Sequence, residues 1–193
     1  MKKWMIATGI AVVMASNVQA KAPYFLPELV RIARVPVGDT LNVRAQPSGK
    51  SADIGDLKNG DTVEILTVQG NWARILWGEG NGWISLAFTD RIKRPTLASG
   101  LPVGLNCAGT EPFWSLRLLK LGVAYLNGAS LPILKSGSSA NSSIGYYFTA
   151  PETTGVLYRG FCSDGMSERD YGWKIDLVTP RGMLSGCCSG DKF

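Results

Sequence analysis

The chain contains no histidine. Serine–histidine and cysteine–histidine nucleophile pairs are therefore impossible, and so is a histidine-built zinc peptidase centre. Its four cysteines include no C-x-x-C pair, so with no histidine beside them they make a poor zinc donor set, and no metal or cofactor is expected. Charged residues are sparse at 18%, and no run of five or more basic residues occurs. Without such a run or a recognised nucleic-acid motif, the mild positive balance does not point to DNA or RNA. Long apolar runs are missing as well. The run near the N-terminus, Ile6 to Ala15, is half the length that a spanning helix needs, about twenty residues.

That short run has a different meaning. It follows the basic start Met1-Lys2-Lys3 and precedes Val18-Gln19-Ala20, which puts small residues where a signal peptidase reads. The pattern predicts a secretory signal peptide over residues 1–20, cleaved after Ala20. No cysteine follows the cut, so neither a lipid anchor at the mature N-terminus nor stable membrane insertion is expected. Loss of Lys2 and Lys3 takes the formal charge from +5 to +3, enough to help an encounter with acidic polymers. Export, periplasmic or secreted, puts Cys107, Cys162, Cys187 and Cys188 in an oxidising compartment, where an even count reads as two disulfides. A bridge between the neighbours Cys187 and Cys188 would close a strained ring. Cys107 and Cys162 are therefore each expected to pair with one of the doublet, and the bridges should leave from opposite faces of the strand.

The remaining length fits one large or two small domains. Lys21 to Ala33 is a lead-in whose patch Tyr24-Phe25-Leu26 either packs on a domain or stays free. The first domain is placed at residues 35–88. Leu41 and Val43 alternate with Asn42 and Arg44, the period of a half-buried strand. Asn59-Gly60 is a strong hairpin signal, because both residue types accept positive φ. Val63 to Val68, Trp72 to Trp77 and Trp83-Ile84-Ser85 follow as strands, with the glycine-rich tip Gly78-Glu79-Gly80-Asn81-Gly82 before the last. No helical period occurs, and so short a chain buries a core most readily as a barrel. Leu41-Asn42-Val43-Arg44 followed by Pro47, the Gly60-Asp61 turn, Asn71-Trp72 and Gly82-Trp83-Ile84 resemble the bacterial SH3 (SH3b) domain in order and spacing. That resemblance implies a small SH3-like barrel, and a role in binding cell-wall peptide or glycan or a protein partner.

Residues 89–104, rich in Pro, Gly, Arg and Lys, read as a linker. The second domain is placed at residues 105–193. Trp114, Leu116 and Leu118, and later Trp173, Ile175 and Leu177, show strand alternation, while Asn127-Gly128 marks a hairpin. Ser136 to Ser143 reads as a loop by composition. The pattern predicts an antiparallel barrel or sandwich stapled by the disulfides, so the fold class is all-β throughout. Cys107-Ala108-Gly109-Thr110-Glu111-Pro112-Phe113-Trp114, Cys162-Ser163-Asp164-Gly165-Met166-Ser167 and Gly186-Cys187-Cys188 resemble the signatures of a family of exported bacterial proteins of unknown function. The sequence departs from them at Glu168, usually aspartate, and Gly172, usually proline. That resemblance implies no activity.

Two chemistries remain. A carboxylate pair could hydrolyse glycosidic bonds, with Glu111, Asp164 and Glu168 as candidates near the cysteines, although carboxylates beside Pro112 and Gly165 equally suit turns. Binding is the stronger expectation. Trp72 and Trp83 can line a groove or lie in the core, and Asn42, Arg44 and Arg74 alternate with core positions. An outward arginine can hold a peptide carboxylate through a bidentate fork. Phe113 and Trp114 are expected in the core around a disulfide, and one of Tyr146 and Tyr147 outside it. The sequence thus reads as a non-enzymatic envelope protein whose partner is peptidoglycan or an envelope protein. The alternatives are an inhibitor or assembly factor of an envelope enzyme, and a carboxylate-dependent hydrolase.

Overall fold

The computed structural model describes residues 23–140 and 144–190, so the expected signal peptide lies outside the described residues. Sixteen strands are described, with a single 3₁₀ turn at Leu86–Phe88, in two antiparallel sheets. The first sheet takes β1 (Glu28–Ile32), β2 (Leu41–Arg44), β3 (Asp53–Leu57), β4 (Thr62–Gln69), β5 (Trp72–Trp77), β6 (Gly80–Ser85) and β7 (Thr89–Arg91), in the order β3-β2-β6-β5-β4-β1-β7. It curls round one apolar cluster in which Val30 and Ile32 of β1 meet Val43 of β2, Leu57 of β3 and Ile75 of β5. Leu41 and Val43 point into this core while Asn42 and Arg44 point out, as their alternation predicts.

The second sheet holds β8 (Leu105–Thr110), β9 (Phe113–Leu118), β10 (Val123–Leu126), β11 (Ala129–Pro132), β12 (Lys135–Ser138), β13 (Gly145–Ala150), β14 (Thr153–Ser163), β15 (Asp170–Thr179) and β16 (Gly182–Gly190). Its order is β11-β10-β9-β8-β16-β15-β14-β13-β12. Because β11 and β12 are its two edges yet only Ile133 and Leu134 separate them in sequence, the sheet must curl back on itself. Its inner face makes a single cluster containing Leu116, Leu118, Phe148, Leu157, Trp173 and Ile175. Asn127 and Gly128, both at positive φ, form the tight β10–β11 turn that their sequence announces. Part of the stretch read as a loop is strand β12, which pairs through its backbone with β13 from Lys135 to Ser138.

The disulfides join Cys107 to Cys188 and Cys162 to Cys187. Cys107 and Cys188 face each other across β8 and β16 and lie in the inner cluster. Cys187, one residue before, turns to the opposite face and ties β16 to the end of β14. Phe113 departs from expectation. Trp114 is buried and packs over Gly109, where an added Cβ would lie 2.1 Å from its indole nitrogen, but Phe113 is 79% exposed. Neighbours on a strand cannot both face the core.

The two sheets are docked directly. Leu97 and Leu101, in the stretch between them, are drawn toward the second domain, Leu101 being fully buried in its cluster. Glu64 of β4 is the joint. Its buried carboxylate accepts from the Arg94 guanidinium, from the Trp173 indole Nε1 at 2.8 Å and from the Gly190 backbone N–H at 3.2 Å. The lead-in is fixed too. Tyr24 and Leu26 pack on the first core, while Arg159 of β14 donates to the Phe25 and Pro27 carbonyls at 3.1 and 2.9 Å. Gly172 of β15 is buried where Pro27 crosses it. A Cβ there would lie 2.5 Å from Pro27 Cβ.

Candidate functional site

Residues directly opposite in antiparallel strands share a face. The register pairs Arg44 of β2 with Trp83 of β6, Trp83 with Arg74 of β5, and Arg74 with Thr67 of β4. Their strand neighbours Val43, Gly82, Ile84, Ala73 and Ile75 are buried, so the row Arg44–Trp83–Arg74–Thr67 lies on the outer face of the first sheet. Asn42, two residues before Arg44, and Trp72, two before Arg74, lie on the same face. At about 4.8 Å per strand the row spans roughly 14 Å. All five residues singled out in the sequence are thus brought to one surface, and both tryptophans are half-buried on it rather than in the core.

Three of the five already have partners within the chain. The Asn42 amide donates to the Asp53 carboxylate, which this bond, the Gly55 N–H and the nearby Arg44 charge hold below its ordinary pKa. Arg44 Nη1 donates to the Ser51 carbonyl at 3.2 Å and lies 3.8 Å from Asp53. Arg74 forms an ion pair with Asp170, at the start of β15 in the second domain. Sequence reasoning missed Asp170, because no local pattern links residues so far apart. Asn81 secures the same contact. Its side chain donates to the Glu168 carbonyl at 2.8 Å and accepts from the Asp170 N–H at 3.3 Å.

The second domain reaches this face through the loop from Asp164 to Arg169. Asp164 accepts from the Met166 and Ser167 N–H groups at 3.0 and 2.9 Å, from the Ser167 hydroxyl, and from the Tyr171 hydroxyl at 3.0 Å. The two backbone bonds lead in holding its carboxyl down to about 2, so at neutral pH it is ionised and clamps the turn. Arg169 then donates to the Gly78 carbonyl at 2.9 and 2.5 Å and pairs with Glu79 at 3.1 Å. The other carboxylate candidates sit apart from that clamp in role. Glu111 is exposed on the β8–β9 turn, and Glu168 meets the first sheet through its backbone. Among the described residues no group of three or more Cys, Asp or Glu is arranged to hold a metal ion.

Several openings lie among the described residues. A cavity of about 200 Å³ lies where the row meets the second domain, between Leu26, Pro27, Leu66, Thr67 and Arg74 on one side and Phe161, Asp170 and Tyr171 on the other. A cleft of about 370 Å³ lies on another side of the junction, lined by Trp77, Asn106, Arg169 and Tyr171. A wider cavity of about 730 Å³ opens among the β8–β9, β10–β11, β13–β14 and β15–β16 turns, where Phe113 and Met183 are exposed.

Comparison with known proteins agrees with the first sheet. The bacterial SH3 domain family matches residues 39–90, which hold all five residues of the outer face. None of the curated proteins matches the chain.

Proposed function

We propose that this is an exported, non-enzymatic binding protein of the cell envelope, and that its SH3-type half holds cell-wall peptide or glycan on the outer face built by Arg44, Trp83 and Arg74. The observation that carries the reading is the register that sets an indole between two arginines on a rigid three-strand platform. An aromatic surface with a few fixed polar groups is the usual make-up of a site for a sugar or an extended peptide, and arginine forks suit the carboxylates of stem peptides. The SH3 match supports the same class of partner. Two disulfides suit an oxidising compartment, and among the described residues no helix is long and apolar enough to cross a membrane. A carboxylate-dependent hydrolase finds less support, since the Asp164 oxygens accept from the Met166 and Ser167 N–H groups and the Ser167 and Tyr171 hydroxyls of its own turn, while Glu111 is exposed on the β8–β9 turn.

Co-sedimentation with purified peptidoglycan sacculi tests the reading. The chain from Lys21 onward is expected to sediment, and an Arg44→Ala, Trp83→Ala double variant of unchanged melting temperature is expected to stay in solution. Wild-type protein left in the supernatant would remove the wall as the ligand and direct the search to envelope proteins.

A further inference from the structure

The register between β14 and β15 slips between Arg159 and Cys162. Arg159 faces Trp173 and Cys162 faces Tyr171, so the two residues Gly160 and Phe161 oppose the single residue Gly172. Such a bulge re-aims a side chain. Here it leaves Phe161 74% exposed, although β14 packs against the core through Leu157. The ring stands at the cavity of about 200 Å³ where the outer face of the first sheet runs into the second domain.

That cavity has the chemistry of a sugar subsite. Its walls include Phe161, Leu26, Pro27 and Leu66, and the Arg74–Asp170 ion pair supplies planar donors and acceptors side by side. The pair is reachable, the Arg74 and Asp170 side chains being 35% and 19% exposed. A pyranose presents an apolar C–H face and a rim of hydroxyls. The face stacks on an aromatic ring, and the rim bonds to charged planar groups at both ends of the donor–acceptor scale.

We infer that this interdomain cavity is a glycan subsite in which Phe161 of the second domain stacks on one pyranose ring while Arg74 and Asp170 bind its hydroxyls. The inference rests on the wall-binding reading above and narrows it to the glycan strand. It also gives the second domain a part in the site, since Phe161 and Asp170 both belong to it.

The test uses the intact chain with two probes: a short β-linked N-acetylhexosamine oligosaccharide without stem peptides, and a stem peptide without sugar, each titrated by calorimetry. The oligosaccharide is expected to bind, Phe161→Ala to weaken it at least tenfold, and Phe161→Trp to restore it. Because the ring is exposed, the alanine variant should keep the wild-type melting temperature. Unchanged oligosaccharide affinity in Phe161→Ala, or a Phe161 dependence seen only with the stem peptide, would overturn the inference. So would sacculi that sediment the chain in an Arg44- and Trp83-dependent way while the oligosaccharide fails to bind. In that case the wall-binding reading stands and the sugar subsite falls.

Discussion

Phe113 and Trp114 stand next to each other and do opposite things. Trp114 is 5% exposed beneath the β8–β9 hairpin, and Trp114→Ala should cost about 3–5 kcal/mol, as emptying a core aromatic site does. Phe113→Ser should change stability by no more than about 0.5 kcal/mol, because its ring already lies in solvent. Chemical denaturation of the two variants checks the contrast. Their place beside Cys107 in sequence suggests that both lie in the core, but strand alternation allows only one of the two inside. Asp164 gives a second residue-scale test. Its folded pKa, held at about 2 chiefly by the Met166 and Ser167 N–H groups, is below the unfolded value near 3.8. The ionised form is therefore the stabilising one. The clamp on the loop to Arg169 is complete above pH 4 and weakens as pH falls toward 2. Carbon-detected NMR of the Asp164 carboxyl should show the depressed midpoint, and a midpoint at the ordinary value would contradict it.

At the scale of elements, the strands with clean alternation were legible. β2, β5 and β15 are written in Leu41–Val43, Ala73–Ile75 and Trp173–Ile175–Leu177, whose buried positions the structure keeps. β1 was not, because two of its neighbours, Leu29 and Val30, are both buried: the strand lies where the first sheet meets the second domain, and two-sided burial erases the period. β12 was hidden by composition, since an edge strand of Lys, Ser and Gly can pair through its backbone without apolar side chains. Glu64 shows the same limit in polar form. From the sequence it is one charge on a β-branched strand; in the fold it accepts from Arg94, Trp173 and Gly190. Removing one side of a buried charge pair leaves the other uncompensated, so Glu64→Ala should cost about 3–5 kcal/mol in denaturant unfolding. A loss below about 1 kcal/mol would mean that the joint contributes little.

For the whole molecule, the decisive contacts join residues far apart in sequence, and no pattern along the chain announces them. In sequence Gly172 stands out only as a glycine where proline is usual, yet Pro27 and Leu66 of the first half lie against it at 2.5 and 3.2 Å from a would-be Cβ. Gly172→Ala should force the halves apart at a cost of about 1–3 kcal/mol, and fluorescence-monitored unfolding is expected to show two transitions for the variant and one for the parent. The disulfides act at this scale as well. Cys107–Cys188 and Cys162–Cys187 close separations of 81 and 25 residues, so loop entropy assigns them about 4.5 and 3.5 kcal/mol. Intact mass after alkylation without reductant should show no adduct, and reduction should lower the melting temperature sharply. The candidate site divides along the same line. Asn42, Arg44 and Arg74 were legible because the alternation that builds a barrel also tells which side chains leave it, whereas Trp72 and Trp83 stood between groove and core until the register set them on the outer face. Asp170 and Phe161 were not, because only docking and a bulge bring them to that face.

The most direct measurement is amide NMR mapping of the intact chain during titration with soluble cell-wall fragments that carry both sugar and peptide. Binding at the proposed site predicts shifts concentrated at Arg44, Thr67, Arg74, Trp83, Phe161 and Asp170, spanning the two halves. Shifts confined to the turns around Phe113 and Met183, or no shifts at all, would contradict the account.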